Sequence, residues 1–255
     1  MGTIPARIDV TDLVAMYEPP AFPPVWIPVH AGATGAEVAE IQAWTTLHGF
    51  DVPIDGRYGP ATIAAIRGFI AKRNIHDTSP ETVTQKLIQT LRAPISRVFV
   101  SLGRKKTDTL RSSIAFFARR HFESAPRAVG PDGGPWVRLY TRNMAFSWDL
   151  GAAYSITRQA TRHMNSPMHV VQLPRVVSHT DLGNWAQETD RLQEAEVGMG
   201  DIFLVRDPQN AGGWLHAGLV TTAHPDYIET VEVQGGAVRA LRRDRRDLDF
   251  VRTVE

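Results

Sequence analysis

The sequence predicts an α+β protein in which helices come first and an antiparallel run of strands follows. Helical apolar spacing recurs from Val38 to Phe122 and again from about Asp149 to His163, whereas alternating strand texture is confined to the end of the chain, from Asp201 onward. Turn residues such as His224-Pro225-Asp226 and Gly235-Gly236 separate those strands, the pattern of a sheet built from successive neighbours.

Residues 1–29 hold Pro5, Pro19, Pro20, Pro23, Pro24 and Pro28, which fix φ and withhold backbone donors; this stretch is expected to be an extended arm. Val38, Ile41 and Trp44 then mark one face of a helix ended by Gly49. Asp55-Gly56 makes a turn, and Thr62, Ile63, Ala65, Ile66, Phe69 and Ile70 resume helical spacing, with Thr62 placed to cap that helix. A third helix is expected from Pro80 through Val83, Leu87 and Leu91 to Pro94, so that residues 30–92 form a small helical module. Residues 93–109 read as a linker, its polar part running from Ser101 to Thr109. Within 110–255, Leu110, Ile114, Phe117, Ala118 and Phe122 trace a helix, and a second runs from about Asp149 to His163. A third begins at Thr180 or Asp181 and buries Leu182 and Trp185, and strands are expected at 201–206, 216–223, 227–234 and 238–243.

Composition narrows the chemistry. The 255 residues carry 28 Lys and Arg against 27 Asp and Glu, a formal charge of +1 that supplies no long-range field for nucleic acid or a membrane surface. There is no cysteine, which removes disulfides, iron–sulfur clusters, cysteine zinc sites and thiol nucleophiles together. The first twenty residues include Asp9, Asp12 and Glu18 without a continuous apolar run, so no secretory signal is expected, and no later run is long enough for a membrane span. Delivery to the outside of a cell would need another route. No cofactor is expected. His163, His169, His179 and Asp181 invite a zinc reading, but their spacing matches no metal motif. Six arginines against three aspartates between Arg239 and Arg252 read as a solvated strand and turn.

Over residues 35–75, Val38, Ile41-Gln42, Gly49-Phe50, Asp55-Gly56, Tyr58-Gly59, Thr62, Ala65-Ile66 and Phe69 stand at a spacing that resembles the peptidoglycan-binding domain of cell-wall hydrolases. Ile70 departs from it, where the family usually has Gln. The resemblance implies a small helical bundle and peptidoglycan as the partner.

The rest of the chain shows Trp148-Asp149, Arg158-Gln159-Ala160, Gly200-Asp201, His216-Ala217-Gly218 and Glu232-Val233-Gln234 in order. That order resembles the amidase and peptidase domains of the CHAP and NlpC/P60 type, whose fold is papain-like. In such domains a thiolate at a helix N-terminus is activated by an imidazole that a third polar group orients. The resemblance puts His216 at the imidazole position, Gln234 or Glu232 at the orienting position, and Asp149 where the cysteine belongs. Trp148 and Trp214 are candidates to line a cleft for sugar or peptide, a core role for Trp214 being the alternative. Asp149 could otherwise be only a helix cap, His216 a half-buried strand residue, and Gln234 the close of a hairpin.

Three explanations of the missing sulfur are open. The domain is catalytically silent, with Asp149 paired to His216; or Asp149 and His216 activate a water; or the register differs and Ser147 is the nucleophile. The expected function is therefore a wall-binding protein related to wall peptidases and degenerate in its catalytic domain, with two alternatives: an active hydrolase of altered chemistry, or a structural, wall-contacting component of a phage tail or injection apparatus with protein partners of its own.

Overall fold

A computed structural model describes residues 28–99, 109–130, 133–141, 147–164, 173–174, 178–194 and 196–254. Nearly all of the expected arm, most of the polar linker and His169 lie outside the described residues. In chain order the elements are β1 (Val29–His30), α1 (Ala36–Leu47), α2 (Pro60–Arg73), β2 (Thr82–Val83), α3 (Gln85–Val98), α4 (Leu110–Glu123), α5 (Gly134–Thr141), α6 (Trp148–Met164), α7 (His179–Glu188), β3 (Leu192–Gln193), β4 (Ile202–Arg206), β5 (Trp214–Ala223), β6 (Tyr227–Gln234), β7 (Ala237–Asp244) and β8 (Leu248–Val251). The fold is α+β, with helices packed on an antiparallel sheet. Among the described residues no helix is long and apolar enough to cross a membrane.

The chain divides into two compact units. Among the described residues the N-terminal unit comprises 28–99 together with 127–130 and 133–139, and the C-terminal unit holds most of the remainder. Residues 127–139, which the sequence places in the second domain, thus belong with the first.

In the N-terminal unit, Val38, Ile41, Trp44, Ile66, Phe69, Leu87 and Leu91 are buried together. Gln42 is buried among them and organises the turn that follows α1. Its Oε1 accepts from Gly56 N at 2.9 Å, while Nε2 faces Asp55 Oδ1 at 2.8 Å, Arg57 O at 3.0 Å and Thr62 Oγ1 at 3.0 Å. Gly56 has φ +69 and its absent side chain would meet Gly35 O at 3.0 Å, so glycine is required there on both counts. Thr62 does not cap α2. Pro60 already opens that helix, and the Thr62 hydroxyl instead donates to Arg57 O.

The third helix differs from expectation at both ends. Val83 pairs with Val29 in the two-stranded β1–β2 ladder, so α3 starts later, and Thr84 caps it by accepting from Leu87 N. At the other end Pro94 lies inside the helix. Proline forfeits one backbone bond, but Ile95 and Val98 stay buried on the packed face and carry the helix through residues 93–98, which the sequence assigns to the linker. Thr109, at the linker's other end, closes a capping box with Ser112 that starts α4.

The C-terminal unit is a six-stranded antiparallel sheet in the order β3-β8-β4-β5-β6-β7, with α4, α6 and α7 against it. Phe203, Val220, Ile228, Leu248 and Phe250 form a core cluster within it. The apolar stripe of α4 continues to His121 rather than Phe122. At 100° per residue His121 falls within the arc of Leu110, Ile114 and Phe117, while Phe122 rotates out and is 39% exposed. His121 is fully buried; Gln159 Oε1 at 2.8 Å accepts from Nε2, and Nδ1 accepts from the Tyr140 hydroxyl at 2.6 Å. Burial pushes the His121 pKa down to about 4.

Helix α7 starts earlier than expected because the Ser178 side chain caps it, accepting from Asp181 N at 3.1 Å. Trp185 is only half-buried; Gly183 takes the inner position, under the ring of Trp214. The unanticipated strand β8 lies between β3 and β4. Its Asp249 is buried, accepting from Trp214 Nε1 at 2.8 Å and Arg206 Nε at 3.0 Å, so the arginine-rich end of the chain is more than a solvated face.

Candidate functional site

The site lies where the first turn of α6 meets β5 and β6 and the start of α7. Asp149 sits in that first turn, where a carboxylate is favoured by the helix dipole, and is buried. Five groups donate to it. Oδ1 receives the Ser147 hydroxyl, Leu150 N at 2.8 Å and His179 Nε2 at 3.0 Å. Oδ2 receives His216 Nδ1 at 2.6 Å, His179 Nε2 at 2.9 Å and Ala217 N at 3.0 Å.

His216 is aimed by a β-bulge. Val205 pairs with His216 but Arg206 pairs with Trp214, leaving Leu215 as the extra residue immediately before the histidine. The other ring nitrogen, Nε2, lies 2.7 Å from Glu232 Oε2. Glu232 is buried on β6 and is also held by Arg243 Nε at 2.7 Å, by a second bond from Arg243 Nη2, and by the Thr230 hydroxyl at 2.6 Å. Gly218 makes room for this reach: a Cβ there would stand 2.6 Å from Glu232 Cβ and 2.6 Å from Phe203 Cε1. A glycine two residues after the histidine is thus a packing requirement of the Glu232–His216 contact.

A carboxylate only accepts, so a ring with a carboxylate oxygen against each nitrogen carries hydrogen on both. Burial opposes the charge on His216, but the bonds to Asp149 and Glu232 outweigh it and raise the pKa to about 9. Burial likewise opposes ionisation of Glu232, yet Arg243, His216 and Thr230 hold it at about 2. For Asp149, burial is again overcome, here by bonds from His179, His216 and Ser147, and the carboxyl lies well below the usual carboxylate range. Asp149 and Glu232 are therefore both ionised around a doubly protonated His216 ring, with the Arg243 guanidinium on Glu232.

The pH dependence follows. Folded His216 binds its proton more tightly than an ordinary histidine of pKa 6.5, so its contribution is full below that value and is lost as pH rises through about 9. Glu232 acts in the opposite sense: its contribution is present above 4.5 and disappears as pH falls toward 2. Urea unfolding across pH is expected to show stability declining between pH 6.5 and 9, with the His216 ring resonance titrating at the upper end; a ring titrating near 6.5 would contradict the doubly bonded geometry.

Of the residues singled out from sequence, Asp149, His216 and Glu232 come together. Gln234 does not: it is exposed at the end of β6, paired through its backbone register with Ala237. Trp214 is buried against Gly183 with its indole N–H on Asp249, which is a core position. Trp148, next to Asp149, is half-buried, and its buried Nε1 has no hydrogen-bond partner among the described residues. The Ser147 hydroxyl is bonded to Asp149 and to no imidazole. Sequence reasoning missed the roles of His179 and Arg243. The Ser178 cap marks where α7 starts but not that His179 turns back to Asp149, and Arg243 is indistinguishable from its arginine neighbours by spacing.

Among the described residues no group of three or more His, Asp or Glu side chains could hold a metal ion. His163 packs its ring on Phe117, and Asp181 is exposed. Comparison with protein-family models, with curated proteins and with solved structures gave no match.

Proposed function

We propose that the chain is a peptidoglycan-binding protein whose C-terminal unit is a papain-like relative of the CHAP and NlpC/P60 wall peptidases that no longer cuts. The wall-binding part of this reading is supported by the motif over residues 35–75, whose Gln42, Asp55, Gly56 and Thr62 form one hydrogen-bonded cluster. The loss of cutting is supported by a single observation, the saturation of the Asp149–His216 pair. A nucleophile needs a free lone pair and a general base a free nitrogen. Asp149 takes five donors, and His216 has a carboxylate at each nitrogen. The pair that would run hydrolysis serves instead as an ionic seam between helix and sheet.

Purified sacculi test both halves of the reading. The full chain is expected to sediment with them and to release no new amine termini over a long incubation. Release by the wild type that disappears in His216→Ala would overturn the loss of cutting. Failure to sediment would overturn wall association.

A further inference from the structure

The six-stranded sheet ends on an open edge. β7 is its last strand, whereas β3, at the other end, is only two residues long. Along an edge strand, alternate residues turn their backbone groups toward the sheet or away from it. Val238 N donates to Pro126 O at 2.9 Å, away from β6, so Ala240 and Arg242 turn their N–H and C=O the same way. Both residues are exposed, and among the described residues those backbone groups have no partner. An unpaired row of this kind is a template for another strand.

The side chains select which strand it takes. Arg239 and Arg242 are exposed and make no ion pair among the described residues. Arg239 stands opposite Glu232 in register, but His216 and Arg243 already hold that carboxylate. Arg242 stands opposite Glu229, yet its guanidinium lies on the Tyr227 ring, 3.5 Å from the centroid, and Tyr227 is stacked on His224 at 4.2 Å. That stack fixes a planar fork whose N–H donors suit a carboxylate. Three residues apart on one strand, the two arginines lie on opposite faces of the sheet. Leu241, half-buried between them, offers an apolar contact.

A second copy of the chain fits this edge poorly. In registers centred on Leu241 or on Arg242, two β7 strands set Arg239 against Arg243, or Arg242 against itself, and like charges directly opposite are destabilising. We propose that β7 is a docking edge for an extended acidic segment of a partner protein, which adds as a further antiparallel strand with two carboxylates three residues apart, one on Arg242 and one on Arg239. Backbone bonds to Ala240 and Arg242 hold the added strand, and the arginines choose its sequence. The edge needs no wall binding to act.

The probe is a blocked hexapeptide, Val-Asp-Val-Ser-Asp-Val, added to the full chain, with Val-Asn-Val-Ser-Asn-Val as its uncharged counterpart. The acidic peptide is expected to bind and to slow hydrogen exchange at the Ala240 and Arg242 amides, while Arg239 and Leu241, already laddered to β6, stay unchanged. Arg239→Ala and Arg242→Ala are each expected to weaken binding by up to about fivefold, the upper range for an exposed ion pair. Ala240→Pro removes an outward donor without touching the β6 ladder and is expected to abolish binding. No binding of the acidic peptide, equal binding of the Asn peptide, unchanged exchange at Ala240 and Arg242 in the complex, or wild-type affinity in a folded Ala240→Pro would overturn the proposal. Two other occupants would overturn it as well. Protection of those amides that grows with protein concentration alone marks a second copy, and peptide binding that emerges only with Asp9→Asn and Asp12→Asn marks this chain's own acidic residues. Exchange is read in the wild type, so the proposal stays testable if a variant fails to fold.

Discussion

Asp149→Ala is expected to cost the C-terminal unit about 3–5 kcal/mol, the range for breaking a buried ion pair by removing one partner. The size follows from what is left behind. His216, still facing Glu232, would share that one carboxylate with Arg243, so two cations would oppose a single anion in a partly desolvated place. His179 Nε2, Ala217 N and the Ser147 hydroxyl would lose their acceptor together, and an unsatisfied buried donor carries its own penalty. Asp149→Asn keeps the shape and one acceptor oxygen, so its loss should be smaller. Urea denaturation measures both, and in each variant the His216 resonance should titrate below the wild-type value of about 9. Near-wild-type stability of Asp149→Ala would show that the network is not what joins α6 to the sheet.

The second large effect is expected in the N-terminal unit. Glu40 is buried on α1, where it accepts from Trp44 Nε1 at 2.8 Å, is paired with Arg138, and has Arg92 Nη2 at 3.8 Å. Glu40→Ala removes the anion that three buried or half-buried donors share and is expected to cost about 3–5 kcal/mol. Arg138→Ala leaves Glu40 with Arg92 and Trp44 and, Arg138 being the more exposed partner, should cost about 1–3 kcal/mol. Faster amide exchange in α1 and α3 of the full chain is the measurement, and unchanged protection in Glu40→Ala would contradict it. Arg138 arrives from residues 127–139, as does Arg127, which donates to Thr46 O. A fragment cut at the sequence boundaries 30–92 would lack both.

What was legible in the sequence is what near neighbours decide. Helix and strand differ in their apolar period, and that period can be counted along Val38, Ile41 and Trp44 or along 227–234 without knowing what they pack against. Pro94 and Phe122 misled for the same reason: each is a local signal overruled by burial of its neighbours, Ile95 and Val98 in one case and His121 in the other. The position of Asp149 at a helix start, with His216 and Glu232 on later strands, also followed from order alone.

The choice between Glu232 and Gln234 did not. It depends on the register of β5 against β6, on the bulge at Leu215 and on the space left by Gly218, none of which has a one-dimensional signature. Nor could spacing reveal that His179 returns to Asp149 thirty residues away, or that Arg138 pairs with Glu40 across ninety-eight. The sequence by itself determined the types of the longer elements, though not α5 or the short strands β1, β2, β3 and β8, and the absence of a sulfur nucleophile. Only the tertiary structure decided which charges meet, because an ion pair is set by distance in space, and its strength by a burial that the whole fold creates.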